Sequence, residues 1–368
     1  MNRFGAVLAG ILVASAALPA GAEGIGGLRL IGEASVPQAM DYQGTMVGGL
    51  SGLDWDAVSG QWIALSDDRS DKAPARFYTL AIDYDADAVR GIAVTGVVTL
   101  RDADGKPYAP RSVDPEAIRR DPALGVLYWS SEGDVKAGID PSVNVAAPDG
   151  GLKRSFDLPA RYHVSGDGST GPRNNLVFEG LVLAPDGRTL WAALENALVQ
   201  DGPAASLTEG SPVRIIAFDT TTGTAGPEWV YVTDPIPAAS LVPGGLADNG
   251  VSEILPAGDG SLLVLERGYA QGRGNSIRLY RADPAPATDV ARLDRLSAGS
   301  WTPMAKTLVL DFGTLGVTLD NFEAMGWGPD LANGHRSLVL LSDDNFNPVQ
   351  VTKALVFEVL PSGSVSQR

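Results

Sequence analysis

Residues 252–268 read SEILPAGDGSLLVLERG, and this stretch decides the fold. An apolar run carrying Glu253 leads into a Gly-Asp-Gly turn, and a second apolar run leads out of it to Glu266. Short runs of Val, Leu and Ile on either side of an Asp-Gly dipeptide predict a β-hairpin. The same plan recurs in GLSGLDWDAVSGQWIALSDDRS (49–70), DPEAIRRDPALGVLYWSSEGD (114–134), FEGLVLAPDGRTLWAALEN (178–196) and NFEAMGWGPDLANGHRSLVLLSDDN (321–345). Most of these units continue into further strand-like runs, among them RFYTLAIDYD, PVRIIAFDTTTG, NSIRLYRAD and ALVFEVLP, so each repeat supplies about four strands.

Repeated four-stranded antiparallel sheets predict an all-β β-propeller, the architecture that arranges such units radially and protects their edges. Five blades are visible in the sequence, with room for a degenerate sixth, and a two-sheet sandwich is the alternative. The early strand LRLIGEASV (28–36) is expected to complete the last blade and so join the two chain ends. The repeats are longer than the about 40 to 50 residues of an ordinary blade. Loops such as 197–212 and 283–301 account for the excess.

The chain has 368 residues and opens MNRFGAVLAGILVASAALPAGAEG, with Arg3 before an apolar stretch and Ala20-Gly21-Ala22 after it. This pattern predicts a secretory signal peptide over residues 1–22, cut after Ala22. Residues 23–368 are then expected as a single propeller domain in the periplasm or outside the cell. No later stretch is apolar enough to span a bilayer. The absence of cysteine excludes disulfides and thiolate nucleophiles. A net charge of −16 argues against nucleic acid and anionic membranes as partners and favours cations, or ligands reached through cations.

The acids of the repeats carry the chemistry. Residues opposite one another in a regular hairpin share a midpoint on its turn. Glu253 and Glu266 centre on Asp259 and Gly260, Glu179 and Glu195 on Gly187, Glu116 and Glu132 on Leu124, Glu323 and Asp343 on Asn333, and Gly52 and Asp67 on Ser59 and Gly60. Four hairpins would thus hold two carboxylates as cross-strand neighbours, with Cα atoms about 4.5 to 5.5 Å apart, where like charges repel. The first strand of a propeller blade lines the central channel. Asp67, Glu116, Glu132, Glu179, Glu195, Glu253, Glu266, Glu323 and Asp343 would therefore converge at one mouth.

Three agents could neutralise such a ring: a hard cation, protons shared among carboxyls of raised pKa, or interleaved arginines. Oxygen-only ligands, with no cysteine and only His163 and His335 in the chain, favour calcium, with magnesium second, over zinc. The arginine candidates are Arg69, Arg267 and Arg273. Asn321 and the Arg173-Asn174-Asn175 run stand beside the acids and could bind an anionic ligand. The alternative is that the acids bond backbone amides and arginines and tie the blades together. A serine esterase using Ser51 of GLSGL is a further reading, although that motif lacks the G-x-S-x-G spacing of a nucleophile elbow.

FEGL, NFEAM, the SDD segment, LERGYAQGRGNSIRLYRAD and LSDDNFN together resemble the phytase-like family of exported bacterial proteins, described as esterase-like activity of phytase. The likeness runs from about Gly48 to Leu360. It is distantly similar to the calcium-dependent propeller phytases, whose Asp-Asp-Pro-Ala motif VDPEAI resembles, and whose Asn-Asn segment PRNNLVFEG resembles. The resemblance implies an exported, calcium-dependent propeller hydrolase acting on phosphoester or other ester bonds. On that reading Asp67, Glu116, Glu132, Glu179, Glu253, Glu266, Glu323 and Asp343 are the candidate metal ligands, and Glu179, Glu195 and Glu253 the candidate bases. Arg69, Arg267, Arg273 and Asn321 would bind a small anionic ester, and a monomer is expected. A non-catalytic, calcium-stabilised binding propeller is the alternative function.

Overall fold

The computed structural model describes residues 24–362. The signal-peptide expectation for residues 1–22 lies outside them. The described residues form a five-bladed propeller of four-stranded antiparallel sheets and contain no α-helix, only three short 3-10 turns. From the channel outward, blade 1 runs Leu50–Asp56, Gln61–Ser66, Arg76–Tyr84 and Val89–Thr99. Blade 2 runs Pro115–Asp121, Val126–Ser131, Ser142–Ala146 and Leu152–Ser155. Blade 3 comprises Phe178–Leu183, Thr189–Leu194, Pro212–Asp219 and Ala225–Val232, and blade 4 comprises Ala247–Pro256, Leu262–Ala270, Gly274–Asp283 and Ala305–Asp311. Blade 5 consists of Asn321–Trp327, Ser337–Asp343 and Lys353–Pro361, with Ile25–Ser35 as its outermost strand. The five sheets leave no place for a sixth blade or for a sandwich.

Both faces of each blade are buried against its neighbours, which is why the second strands read as nearly unbroken apolar runs such as SLVLL. Leu50, Trp62 and Tyr78 of blade 1 pack with Val339, Leu341 and Val356 of blade 5, while Ile63, Leu65 and Phe77 meet Leu127 and Trp129 of blade 2. The inner strands pack side by side in the order 1-2-3-4-5-1 and close the ring. Closure depends on Ile25–Ser35 pairing with Lys353–Pro361, where Arg29 faces Glu358 and donates to it at 2.5 Å. His335 and Asn333 also bond the Glu358 carboxylate, at 2.6 and 2.7 Å.

The hairpin register differs from the regular ladder in the same way in every blade. Each inner strand carries one extra residue near its start: Ser51, Glu179, Ser252 and Glu323 in blades 1, 3, 4 and 5, and one of Glu116 and Ala117 in blade 2. Asp343 therefore faces Asn321 and Glu266 faces Val251, so the paired acids are not directly opposite one another. A β-bulge bends its strand and re-aims one side chain, and midpoint arithmetic cannot register it.

Candidate functional site: a carboxylate ring at the channel mouth

The bulge and the residue after it build the mouth. Following the bulged position the five blades carry Gly52, Ala117, Gly180, Glu253 and Ala324. A Cβ on Gly52 would lie 2.7 Å from the Glu116 carbonyl oxygen, and one on Gly180 would lie 2.9 Å from the Ile254 nitrogen. Small residues here let the inner strands approach, and the bulge turns the preceding acid toward the channel. On the second strands, Asp67, Glu132, Glu195, Arg267 and Asp343 each stand one residue past the partner of the residue that precedes the bulge. The resulting cavity, about 730 Å³, is lined among others by Asp67, Arg69, Asp114, Glu116, Glu179, Arg267, Asn321 and Glu323.

Ligand oxygens of Asp114, Glu116 and Glu132 lie within 4.8 Å of one another, as do those of Glu132, Glu179 and Glu195. Glu132 belongs to both triads and is 1% exposed. One of its oxygens accepts from the Val177 amide, and the other is buried with no hydrogen-bond partner. Among the described residues, no hydrogen bond or ion pair reaches the carboxylates of Asp67, Glu116 or Glu179. Burial first, and neighbouring carboxylates second, push Asp67, Glu116, Glu132, Glu179 and Asp343 well above the usual carboxylate range. Burial lifts Glu195 to about 8 against the pull of Arg267, and Asp114 to about 6 against that of Arg69. Glu323 is raised by burial, again against Arg267.

Two arginines enter the ring and both are engaged. Arg69 forks onto Asp114, with Nε 2.7 Å from Oδ1, and also bonds Asn175. Arg267 contacts Glu323 at 3.1 Å, Asp248 at 3.2 Å and Glu195 at 3.4 Å. Asn321 lines the cavity and donates to Asp343 at 3.4 Å. The neighbouring acids Asp68 and Asp344 turn away. Asp68 caps the 71–73 loop amides and pairs with buried Arg76, and Asp344 accepts from Gly49 of blade 1.

Three candidates from the sequence lie elsewhere. Glu253 sits below the mouth, fully buried and paired with Arg119 at 2.6 Å. Glu266 is tied between blades 3 and 4 by Tyr231, Asn249, the Asp234 amide and Lys306. The cause is register: blade 4 carries both of its acids one position deeper than the other blades do, leaving Ser252 and Arg267 at mouth level. Arg273 bonds the Ala239 carbonyl outside the cavity lining. The Ser51 hydroxyl is buried and donates to the Glu116 backbone carbonyl at 3.0 Å, not to an imidazole.

Asp114, Asp248, Tyr269 and the rim amides Asn275, Asn347 and Gln350 were not singled out from the sequence. Asp114 had a signal, standing before Pro115 at the head of an inner strand where the chain must turn into the channel. The residues around the mouth also hold strained backbone. Ser70, Arg111, Asn175, Asn345 and Phe346 all have φ between 48° and 60°, a conformation that non-glycine residues adopt mainly where surroundings enforce it.

A family model described as phytase-like, esterase-like activity of phytase, matches residues 45–346. The chain belongs to this phytase-like family. No curated protein matches it. Among solved structures, it is similar to the hydrazine synthase of Kuenenia stuttgartiensis (13% identity, covering 87% of this chain and 67% of that one, TM-score 0.36). It is also similar to a bifunctional GH43-CE protein of Bacteroides eggerthii (11% identity, 88% and 34%, TM-score 0.43), of which it spans about a third.

The phytase-like family suggests a propeller hydrolase, and its members generally bind calcium. The donor set of this chain fits a hard cation: it is all oxygen, it converges twice on Glu132, and its central buried oxygen has no partner in the protein. No described helix is long and apolar enough to cross a membrane.

Proposed function

We propose that this phytase-like chain is an exported ester hydrolase, acting on phosphoesters, whose carboxylate ring holds calcium or, second, magnesium. The observation that carries the reading is the buried, unpartnered oxygen of Glu132 at the junction of two acid triads. An ionised carboxylate oxygen left bare in a protein interior is costly unless a cation or proton reaches it. Asp114, Glu116 and Glu132 would hold the cation, which when bound supplies Lewis acidity toward a phosphoryl oxygen and eases the ionisation of water.

The chain's own groups supply the rest. Glu179 lines the cavity without any donor on its carboxylate, which leaves its oxygens open to take a proton from water. Arg69, held flat by Asp114 and Asn175, offers a fixed guanidinium to a transferred anionic group. Both cavity guanidiniums are already paired with carboxylates, and Leu246 and Val349 on the cavity wall are 72% and 82% exposed. These features favour an ester of low charge with an apolar group over a polyanion.

The test is hydrolysis of p-nitrophenyl phosphate, bis-p-nitrophenyl phosphate and p-nitrophenyl acetate before and after EDTA, with calcium then restored. Phosphoester turnover lost to the chelator and regained with calcium is expected. Glu132→Gln should lose calcium affinity and turnover together, whereas Glu179→Gln should lower kcat by about 10² to 10⁴ while calcium still binds. If all three esters survive while calcium raises the melting temperature, the ring is architectural and the hydrolase reading fails.

A further inference from the structure

The fivefold register makes one position comparable across the molecule. One residue past the second-strand partner of the residue that precedes each bulge stand Asp67 in blade 1, Glu132 in blade 2, Glu195 in blade 3, Arg267 in blade 4 and Asp343 in blade 5. Four are carboxylates and one is a guanidinium. The bulged position in the same blade is Ser252, where blades 2, 3 and 5 carry Glu116, Glu179 and Glu323. Blade 1 also carries a serine at the bulge, Ser51, so what sets blade 4 apart is the guanidinium that stands where the other four blades have a carboxylate.

Arg267 reaches three carboxylates from three neighbouring blades: Glu195 of blade 3, Asp248 of blade 4 and Glu323 of blade 5. Its side chain is 15% exposed. Gly250 makes room for this meeting, since a Cβ there would lie 2.5 Å from the Glu195 side chain. Asp248 is held in place by the Tyr269 amide at 2.9 Å. The Arg267 Nε is itself buried without a partner. The guanidinium thus answers the charge of the three acids without satisfying every polar atom in the pocket.

We propose that Arg267 is a resident cation standing where blade 4 would otherwise take a divalent ion, and that it confines metal binding to the side of the ring formed by blades 2 and 3. Removing the guanidinium leaves Glu195, Asp248 and Glu323 around a vacated volume. Three carboxylates form an oxygen-only donor set suited to calcium. Arg267 is on this account a positioning residue: it decides where the ring accepts metal. The inference builds on the reading of the ring as a divalent-cation site but has a separate readout.

The experiment counts calcium bound per chain by equilibrium dialysis for the full-length wild type, Arg267→Met, Arg267→Lys and the double variant Arg267→Met, Glu323→Gln. Arg267→Met should bind one more calcium than the wild type. Arg267→Lys should match the wild type, and the double variant should lose the added ion. An unchanged count in folded Arg267→Met overturns the proposal while leaving the ring site standing. A wild type that binds none beside a methionine variant that binds one overturns the ring reading and the confinement with it, and keeps Arg267 only as the cation that fills a blade 4 site. No calcium on either protein removes both. Should Arg267→Met fold only when calcium is present, the ion has taken the guanidinium's place, as expected. Failure to fold with calcium and without it counts against the proposal.

Discussion

Arg119 and Glu253 show what a single pair of residues can settle. The Arg119 guanidinium crosses the channel below the mouth and donates to the carbonyls of Leu53, Ile118, Ile254 and Met325, from blades 1, 2, 4 and 5. Glu253 completes the circuit by accepting from the Leu181 amide of blade 3 at 3.1 Å. All five blades are therefore tied to one ion pair. Arg119→Met would leave the Glu253 carboxylate buried without its partner, an arrangement that costs about 3 to 5 kcal/mol. Urea denaturation should show a loss of that size, and the double variant Arg119→Met, Glu253→Leu should recover much of it. A single variant as stable as the wild type would mean that the pair is not what holds the inner strands together. The residue scale is also where the sequence was least legible. Glu253 looks like its counterparts because it opens an apolar run, and only its partner, Arg119, distant in sequence, reveals its different position.

At the scale of the element, the hairpins, their turns and the closing N-terminal strand were all legible, because short apolar runs around Asp-Gly and Pro-Asp-Gly have few other solutions. The bulge was not, since it adds a residue without changing composition. A signal for it does exist in the sequence: LSG, PEA, FEG, VSE and FEA align when the small residue following the acid is used as the marker, and VSE then stands out as the exception. The small residue predicts its own test. Gly180→Val would drive a branched side chain against the Ile254 backbone, and overpacking of this kind costs about 1 to 3 kcal/mol or more. Its denaturation midpoint should fall accordingly, and an unchanged midpoint would show that blades 3 and 4 can part without penalty.

The closing strand gives a second test at this scale. Burial opposes ionisation of Glu358, but hydrogen bonds from Arg29, Asn333 and His335 outweigh it and hold its pKa below the usual value. A lowered folded pKa contributes stability above the unfolded value, and that contribution is lost as pH falls through the folded one. Arg29 is 47% exposed, so its share is screened. Glu358→Gln should therefore cost only about 1 to 2 kcal/mol at pH 7, with the difference from wild type shrinking below about pH 4. A difference that stays constant from pH 7 to pH 3 would remove Glu358 from the account of closure.

Across the whole molecule the ring sets a pH dependence opposite to that of the closing strand. The mouth carboxylates titrate near pH 4 when the chain is unfolded. In the folded protein they are raised, Asp114 to about 6, Glu195 to about 8 and the others well above their usual range, with burial the leading cause in each. The folded chain therefore binds more protons than the unfolded chain between these limits. By linkage, stability without metal must decline as pH rises from about 4 through about 8. A divalent cation that neutralises the same groups acts in the other direction: it binds the ionised ring and, at a hundred times its dissociation constant, stabilises the fold by about 2.7 kcal/mol. The expected result is a melting temperature in EDTA that is highest in mild acid and falls toward pH 8, and a fall that millimolar calcium abolishes. Equal melting temperatures at pH 5 and pH 8 in the chelator would show that the acids are not held protonated by burial. A pH-dependent fall that calcium leaves untouched would show that protons and arginines, not a metal, balance the ring.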